Sequence, residues 1–344
     1  MAIGSVSETR IYDELLVTTA EHIHPGIVEN SINSHPIASI LFGRIGAALN
    51  SSIGEDGAPN TGAESVSGES IRVNVKLGKN ESFSWLSGGF SPISMDTSDT
   101  ARGTRSNFKL GAGSVVISGS EMRKNSGDAA IASLLRHKQD DTVSSAVDSV
   151  ASALLATTAT PNAVTSLDDL IGANDSVQGF SGATFANWNS RGISAKGTAA
   201  ASISFDSGSF ASRGASDMRA AWVGAEEGSI KPNVIVTTDL IHQYYEGSLT
   251  PGVRYASTKM GDIGFGELQF KTAPIFHDPY CATGYMYFLN TDYLGLKHLP
   301  GALFDLSTME RGTNQDAFVA HVLFEANLTI SARKYNNKLV IITA

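Results

Sequence analysis

Residues 71–77 alternate strictly: Ile71, Val73, Val75 and Leu77 are apolar, while Arg72, Asn74 and Lys76 are polar. A period of two marks a half-buried β-strand. Gly78-Lys79-Asn80 interrupts it, and Phe83 and Trp85 resume the alternation before the turn residues Gly88-Gly89 and Pro92. A second extended stretch is predicted over 107–122, centred on Val115-Val116-Ile117, with a polar segment at 94–104 in between. Together these predict a long hairpin-like excursion over 68–115. An isolated hairpin cannot bury both of its faces, so its apolar side needs cover from elsewhere. Phe83, Trp85 and Phe90 are the rings most exposed to that need.

The period then changes. Ile131, Leu134, Leu135, Val143, Val147, Val150 and Leu154 recur at spacings of three, four, seven and eight. This predicts one helix of roughly 30 residues, with Ser126 as N-cap and an end before Pro161. A shorter helix is predicted over 214–227, burying Met218, Ala221, Trp222 and Ala225. Val234-Ile235-Val236 reads as a buried strand, followed by a short helix capped by Asp239 and running through Tyr245. Strands are predicted at 267–276 and 285–289 around an Asp278-Pro279 turn, and 317–342 reads as two paired strands joined at Asn336-Asn337. The 166–206 region is loop-rich, with Phe185 and Trp188 as anchors. At the other end, Pro25 and Pro36 break the first 50 residues into an arm with one short amphipathic helix over 8–22. Its apolar run Ile37–Phe42 has little local partner, so Ile40, Leu41 and Phe42 join the candidate contact residues, packing on the main body or on a neighbour. The fold class is α+β.

Composition narrows the function. Of 344 residues, 42% are hydrophobic and only 17% charged, against about 25% charged for a typical soluble domain. A chain whose surface is covered by neighbours tolerates so few charges better than a dispersed monomer does. The net charge of −9 and the lack of any Lys/Arg run exclude a phosphate-gripping face. Cys281 is the only cysteine, which excludes an intrachain disulfide and a cysteine metal site and suits a reducing compartment. No signal peptide or apolar run long enough to span a bilayer is present.

Enzyme motifs fail one by one. Gly179-Phe180-Ser181-Gly182 is one residue short of a nucleophile elbow. Gly261-Asp262-Ile263-Gly264-Phe265-Gly266 scrambles the dinucleotide spacing, and Gly78-Lys79 lacks the rest of a phosphate loop. His22/His24 and His277-Asp278 do not make a set of three or four metal ligands. Asp140-Asp141, Asp168-Asp169 and Glu226-Glu227 read as solvated faces. No catalytic residue, cofactor or metal is expected.

Four stretches, in order, carry a resemblance: Trp85-Leu86-Ser87-Gly88-Gly89-Phe90; Glu121-Met122-Arg123-Lys124-Asn125-Ser126-Gly127 leading into the long helix; Pro232-Asn233-Val234-Ile235-Val236-Thr237-Thr238 with the Tyr244–Tyr255 region after it; and Ala273-Pro274-Ile275 through Tyr287-Phe288-Leu289-Asn290-Thr291. Across roughly 65–344 they resemble the major capsid proteins of tailed bacteriophages, whose shell-subunit fold encapsulins share. The resemblance implies an N-terminal arm (1–67), an extended loop (68–115), a peripheral domain with a spine helix (116–159 plus 311–344) and an axial domain (160–310). It implies a non-enzymatic homo-oligomer of pentamers and hexamers closing into an icosahedral head around double-stranded DNA, assembled in a bacterial host cytoplasm. The first 67 residues are too short and proline-interrupted for a built-in coiled-coil scaffold, so a separate scaffolding protein is expected, with a portal and a possible decoration protein. Lys76 and Lys79 lie in the loop where some members crosslink, but no Asn partner or base is fixed, and crosslinking is not expected. The alternatives are an encapsulin-like compartment and a soluble enzyme of unknown class; a sheet-rich tail-tube subunit fits the long helix poorly.

Overall fold

The computed structural model describes residues 35–41, 63–78, 83, 85, 89, 100–124, 128–158, 160–172, 176–190, 203–204, 214–249, 268–312 and 315–342. The predicted N-cap Ser126, the arm helix over 8–22, and Phe42 and Phe90 lie outside them. Among the described residues the chain divides into two compact units, one from 110–150 and 301–325, the other from 35–109, 151–300 and 326–342.

The larger unit is organised by a six-stranded sheet in the order Ile203–Ser204, Asn337–Ile342, Tyr285–Leu289, Val234–Thr237, Ala273–His277, Leu268–Phe270. Val234–Thr237 is buried at every position, as its unbroken apolar run demands. It pairs in parallel with Ala273–His277 and antiparallel with Tyr285–Leu289. Ile235 stands opposite both Ile275 and Phe288, and this row packs with Met218, Ala221 and Trp222 of helix Ala215–Ala225 and with Ile241 and Tyr245 of helix Asp239–Ser248. The predicted burial of Met218, Ala221, Trp222 and Ala225 holds at all four positions.

Asparagines lock the loops of this unit. Asn337 Nδ2 donates to the Ala221 carbonyl at 2.7 Å, and Asn336 Oδ1 accepts from the Asn290 amide at 2.8 Å. Asn233 and Thr291 exchange bonds of 2.8 and 3.0 Å. Asn327 Oδ1 accepts from the Thr165 amide at 2.9 Å, while its Nδ2 donates to the Asn107 carbonyl at 2.8 Å. Each of these amides bonds backbone that would otherwise be buried without a partner, and Asn233 also donates to the Thr291 hydroxyl. Arg333, fully buried, does the same with charge: Nε donates to the Leu170 carbonyl at 2.8 Å and Nη2 to that of Gly172 at 2.7 Å.

In the smaller unit, strand Lys109–Ser118 pairs with part of strand Ala317–Ile330. Val115, Ala320 and Val322 form a core with the half-buried Val143, Phe304 and Met309. Val143 belongs to helix Asp128–Leu155, 28 residues long, close to the predicted length and end. Ser118 and Glu121 form a reciprocal cap: the Ser118 amide donates to Glu121 Oε2 at 2.8 Å and the Glu121 amide to Ser118 Oγ at 3.2 Å. This capping box starts helix Gly119–Lys124, so the extended stretch predicted to run through Met122 ends at Ser118. Glu121 also accepts from Lys138 of the long helix at 3.1 Å. A Cβ at Gly119 would meet the Asp316 carboxylate, which would have to swing aside. That carboxylate sits 2.6 Å from Arg123 Nη2, which holds its pKa below the ordinary value, with Arg311 adding a smaller pull in the same direction.

Several other expectations are corrected. Strands Ala317–Ile330 and Asn337–Ile342 are not partners. The second lies against Tyr285–Leu289 in the six-stranded sheet, and 326–342 falls in the larger unit. In place of the single strand predicted over 267–276 there are two antiparallel strands, Leu268–Phe270 and Ala273–His277, because the backbone turns at Lys271 with φ 55°. Asp239 is the first helical residue, with Thr238 in the cap position. Pro36 opens a helix, Pro36–Leu41, as proline does well at a first turn. Strand Leu294–Leu306 was not foreseen.

Two outcomes test this packing. Arg333→Met leaves two buried carbonyls without their charged donor and should destabilise the protein by about 1.5–3 kcal/mol in urea unfolding. Gly119→Ala should push the Asp316 carboxylate off Arg123 and raise its pKa toward the ordinary value in an NMR titration, whereas Ser120→Ala, one position on and exposed, should not.

Candidate assembly surface

The predicted hairpin has a real base. Asn74–Lys76 pairs antiparallel with Ala101–Gly103, and the ladder extends through Leu77 N to Thr100 O at 2.9 Å and through the Ile71–Ser106 bridge. Alternation sorts the side chains nearly as predicted: Ile71, Val75 and Leu77 are buried, Val73 is half-buried, and Arg72, Asn74 and Lys76 are exposed. One face of the base is therefore covered by the chain itself. The base is tied down by Asn187, whose Nδ2 donates to the Leu77 carbonyl at 3.2 Å, and by the Arg102 guanidinium, 5.2 Å from the Phe185 ring centre. Trp188 anchors that loop, buried and donating through Nε1 to the Val177 carbonyl at 3.3 Å.

Beyond the base the cover stops. Phe83 is 76% exposed and Trp85 91% exposed, and their rings meet edge-to-face at 5.5 Å between centroids. Two large rings left in water in contact with each other form an apolar patch of the kind that marks a contact surface. Ile40 and Leu41 behave in the opposite way. At 1% and 3% exposure they are covered by their own chain, so they drop out of the candidate contact set; the apolar run showed that they would be buried, not what would bury them.

The smaller unit carries a second uncovered face. On strand Lys109–Ser118 the side chains of Val115 and Ile117 point into the core, while Leu110, at 66% exposed, and Val116 point out. On the paired strand Ala320, Val322 and Phe324 are buried and Leu323 is exposed. This face was legible in the alternation of 110–117, which the sequence reading used only to place a strand.

Candidate chemistry is sparse. His35 Nδ1 lies 3.4 Å from Asp278 Oδ1, stacked on Tyr280 at 4.8 Å, one turn from Cys281. Burial, with a further push from Asp278, raises the Cys281 thiol to about 12, so it carries no thiolate at neutral pH. A cleft of about 290 Å³ is lined by Arg105, Lys109, Thr165, Asp169 and Asn327 among others. Among the described residues no three His, Cys, Asp or Glu side chains converge as metal ligands, and no helix is long and apolar enough to cross a membrane.

Comparison with known proteins places the fold. No family model and no curated protein matches the sequence. Solved structures do match over nearly the whole chain. The cyanophage A-1(L) capsid subunit superposes with a TM-score of 0.63 at 14% identity, over 95% of this chain and 98% of that one. The capsid of Myoviridae phage XM1 gives 0.53 at 11% identity over 94% and 97%, and the capsid of the native GTA particle 0.52 at 12% over 94% and 97%. The chain has the phage-capsid fold.

If Phe83 and Trp85 play no part in the fold of the lone chain, the double variant Phe83→Ser/Trp85→Ser should unfold within about 0.5 kcal/mol of the parent protein in denaturant titration of unassembled chains.

Proposed function

We propose that this protein is a major capsid protein, a structural subunit that self-associates into the icosahedral head of a tailed phage. The observation that carries this reading is the end-to-end likeness to capsid subunits, with 94–95% of this chain and 97–98% of each of those matched. Little of the chain is left over to serve another role. The exposed Phe83–Trp85 pair supports the same reading from physics alone. Each such ring buried on a neighbour contributes roughly 1.5–3 kcal/mol, and repetition around a closed shell multiplies contacts that are individually modest.

In this reading residues 79–99 reach over the adjacent subunit from the base described above. The unit holding the long helix corresponds to the peripheral domain and the six-stranded-sheet unit to the axial domain, with the last strand assigned to the latter. Rotational closure of heterologous contacts yields rings, here pentamers and hexamers. A separate scaffolding protein, a portal and a decoration protein are the partners this role calls for. The enclosed double-stranded DNA meets a chain of net charge −9, which contains it without gripping it.

Removing the whole of 69–112 would cut out the buried Ile71, Val75 and Leu77 and part of a paired strand, so loss of particles would only report loss of folding. The informative variant replaces 79–99 by a short Gly-Ser link, since Leu77 and Thr100 are already hydrogen-bonded neighbours. Expressed with its neighbouring genes, the parent chain should give closed particles by electron microscopy. The linked variant and Phe83→Ser/Trp85→Ser should give folded, soluble subunits and no closed particles. Particles of normal size from both would overturn the role given to this loop.

A further inference from the structure

Two uncovered apolar surfaces of this chain have opposite shapes. One projects: the exposed Phe83 and Trp85 rings, whose centroids are 5.5 Å apart. The other is recessed. Along strand Lys109–Ser118 the outward residues are Leu110, Ala112, Ser114 and Val116, all exposed and none charged. Large side chains stand at both ends of that row and small ones between them. At about 3.4 Å per residue, Leu110 and Val116 are roughly 20 Å apart and the Ala112–Ser114 floor spans about 7 Å. The paired strand supplies a side wall. On the covered face a Cβ on Gly111 would touch Phe324 at 3.8 Å, and one on Gly113 would come within 3.9 Å of Val322. By alternation Ala112 and Leu323 then share the outward face, where Leu323 is exposed. The result is an apolar trough with a low floor, long enough for two rings side by side.

We propose that the Phe83–Trp85 pair of one copy seats in the Leu110–Val116 trough of the next copy. This contact rests on the capsid-subunit role proposed above and names the surface that its projecting loop meets. Within one chain the rings and the trough are both open to water, so the chain does not fill its own trough. A foreign protein laid in the trough would leave the rings wet. A second copy covers both surfaces in one contact and brings rings and troughs in equal number. Because the contact joins two different patches, it is head-to-tail, repeats from copy to copy, and closes when the rotation closes. It is also small. Two rings of roughly 150–250 Å² each fall well short of the about 1,200–2,000 Å² that a stable complex of two proteins buries. An isolated pair of copies therefore comes apart, and the contact holds only alongside others in a closed ring. The small floor residues are what make room for the rings, so a large side chain at Ser114 takes their place.

The test uses full chains expressed with their neighbouring genes. Ser84→Cys, between the two rings in sequence, is combined with Ser114→Cys on the trough floor; the chain's own cysteine, Cys281, is buried. Particles of this variant, oxidised and then denatured without reductant, should give a ladder of covalently joined chains on a gel, while each single-cysteine variant runs as separate chains. Ser114→Trp, a change at an exposed position, should keep the parent's urea midpoint and form no closed particles. Particles of the double-cysteine chain that yield only separate chains, or normal particles from Ser114→Trp, would overturn the contact and leave the capsid role standing. Absence of particles from the parent chain would remove that role, and the contact with it.

Discussion

The six-stranded sheet closes its own core, and everything else follows from that self-sufficiency. Val234–Thr237 is buried along its length between a parallel and an antiparallel partner, and two helices seal the row of Ile235, Ile275 and Phe288. A sheet buried on both faces leaves no water for its loops to bond, so their polar backbone must be satisfied from within. Asn233, Asn290, Asn336 and Asn337 do this around one end of the sheet, and Arg333 holds the carbonyls of Leu170 and Gly172. Replacing any of these by an apolar residue of similar size would not be neutral, because the partner group would remain buried.

The hairpin carries two rings, Phe83 and Trp85, that face solvent. Its base is anchored at Leu77, Thr100 and Arg102, and its apolar alternation continues past the last residue that the chain itself covers. Phe83 and Trp85 are thus the continuation of a buried face into a place where there is nothing to bury it. The outward face of strand Lys109–Ser118, with Leu110 and Val116, repeats the theme in the other unit. The low charged fraction of 17% fits a chain with such faces, since few charges are present to keep isolated copies apart.

Much of this was legible in the sequence where one physical rule acted alone. Helix Ala215–Ala225 and strand Tyr285–Leu289 came out nearly residue for residue because each has a single clear period and a firm boundary. Strand Leu294–Leu306 did not, because Pro300-Gly301 reads as a turn and its alternation breaks at His298-Leu299. The break at Lys271 was hidden because lysine seldom marks a left-handed turn. Pairing was the least legible: Ala317–Ile330 and Asn337–Ile342 are neighbours in sequence but serve different sheets, a choice made by distant partners. The same limit applied to Ile40 and Leu41, whose apolar character did not say which surface would cover them. Arg333 and the asparagines looked like surface residues, since nothing local distinguishes a buried polar group from a solvated one. The Ser118–Glu121 capping box was present in plain sequence and could have ended the preceding strand correctly.

Trp85 is a direct reporter, since Trp188 and Trp222, the other two tryptophans, are buried. Acrylamide quenching of a Trp188→Phe/Trp222→Phe chain, read on unassembled subunits and again on closed particles, isolates its indole. The account predicts strong quenching of the free subunit and a several-fold smaller quenching constant in the particle. An indole as accessible in the particle as in the free chain would contradict the claim that other copies of the chain cover what this fold leaves exposed.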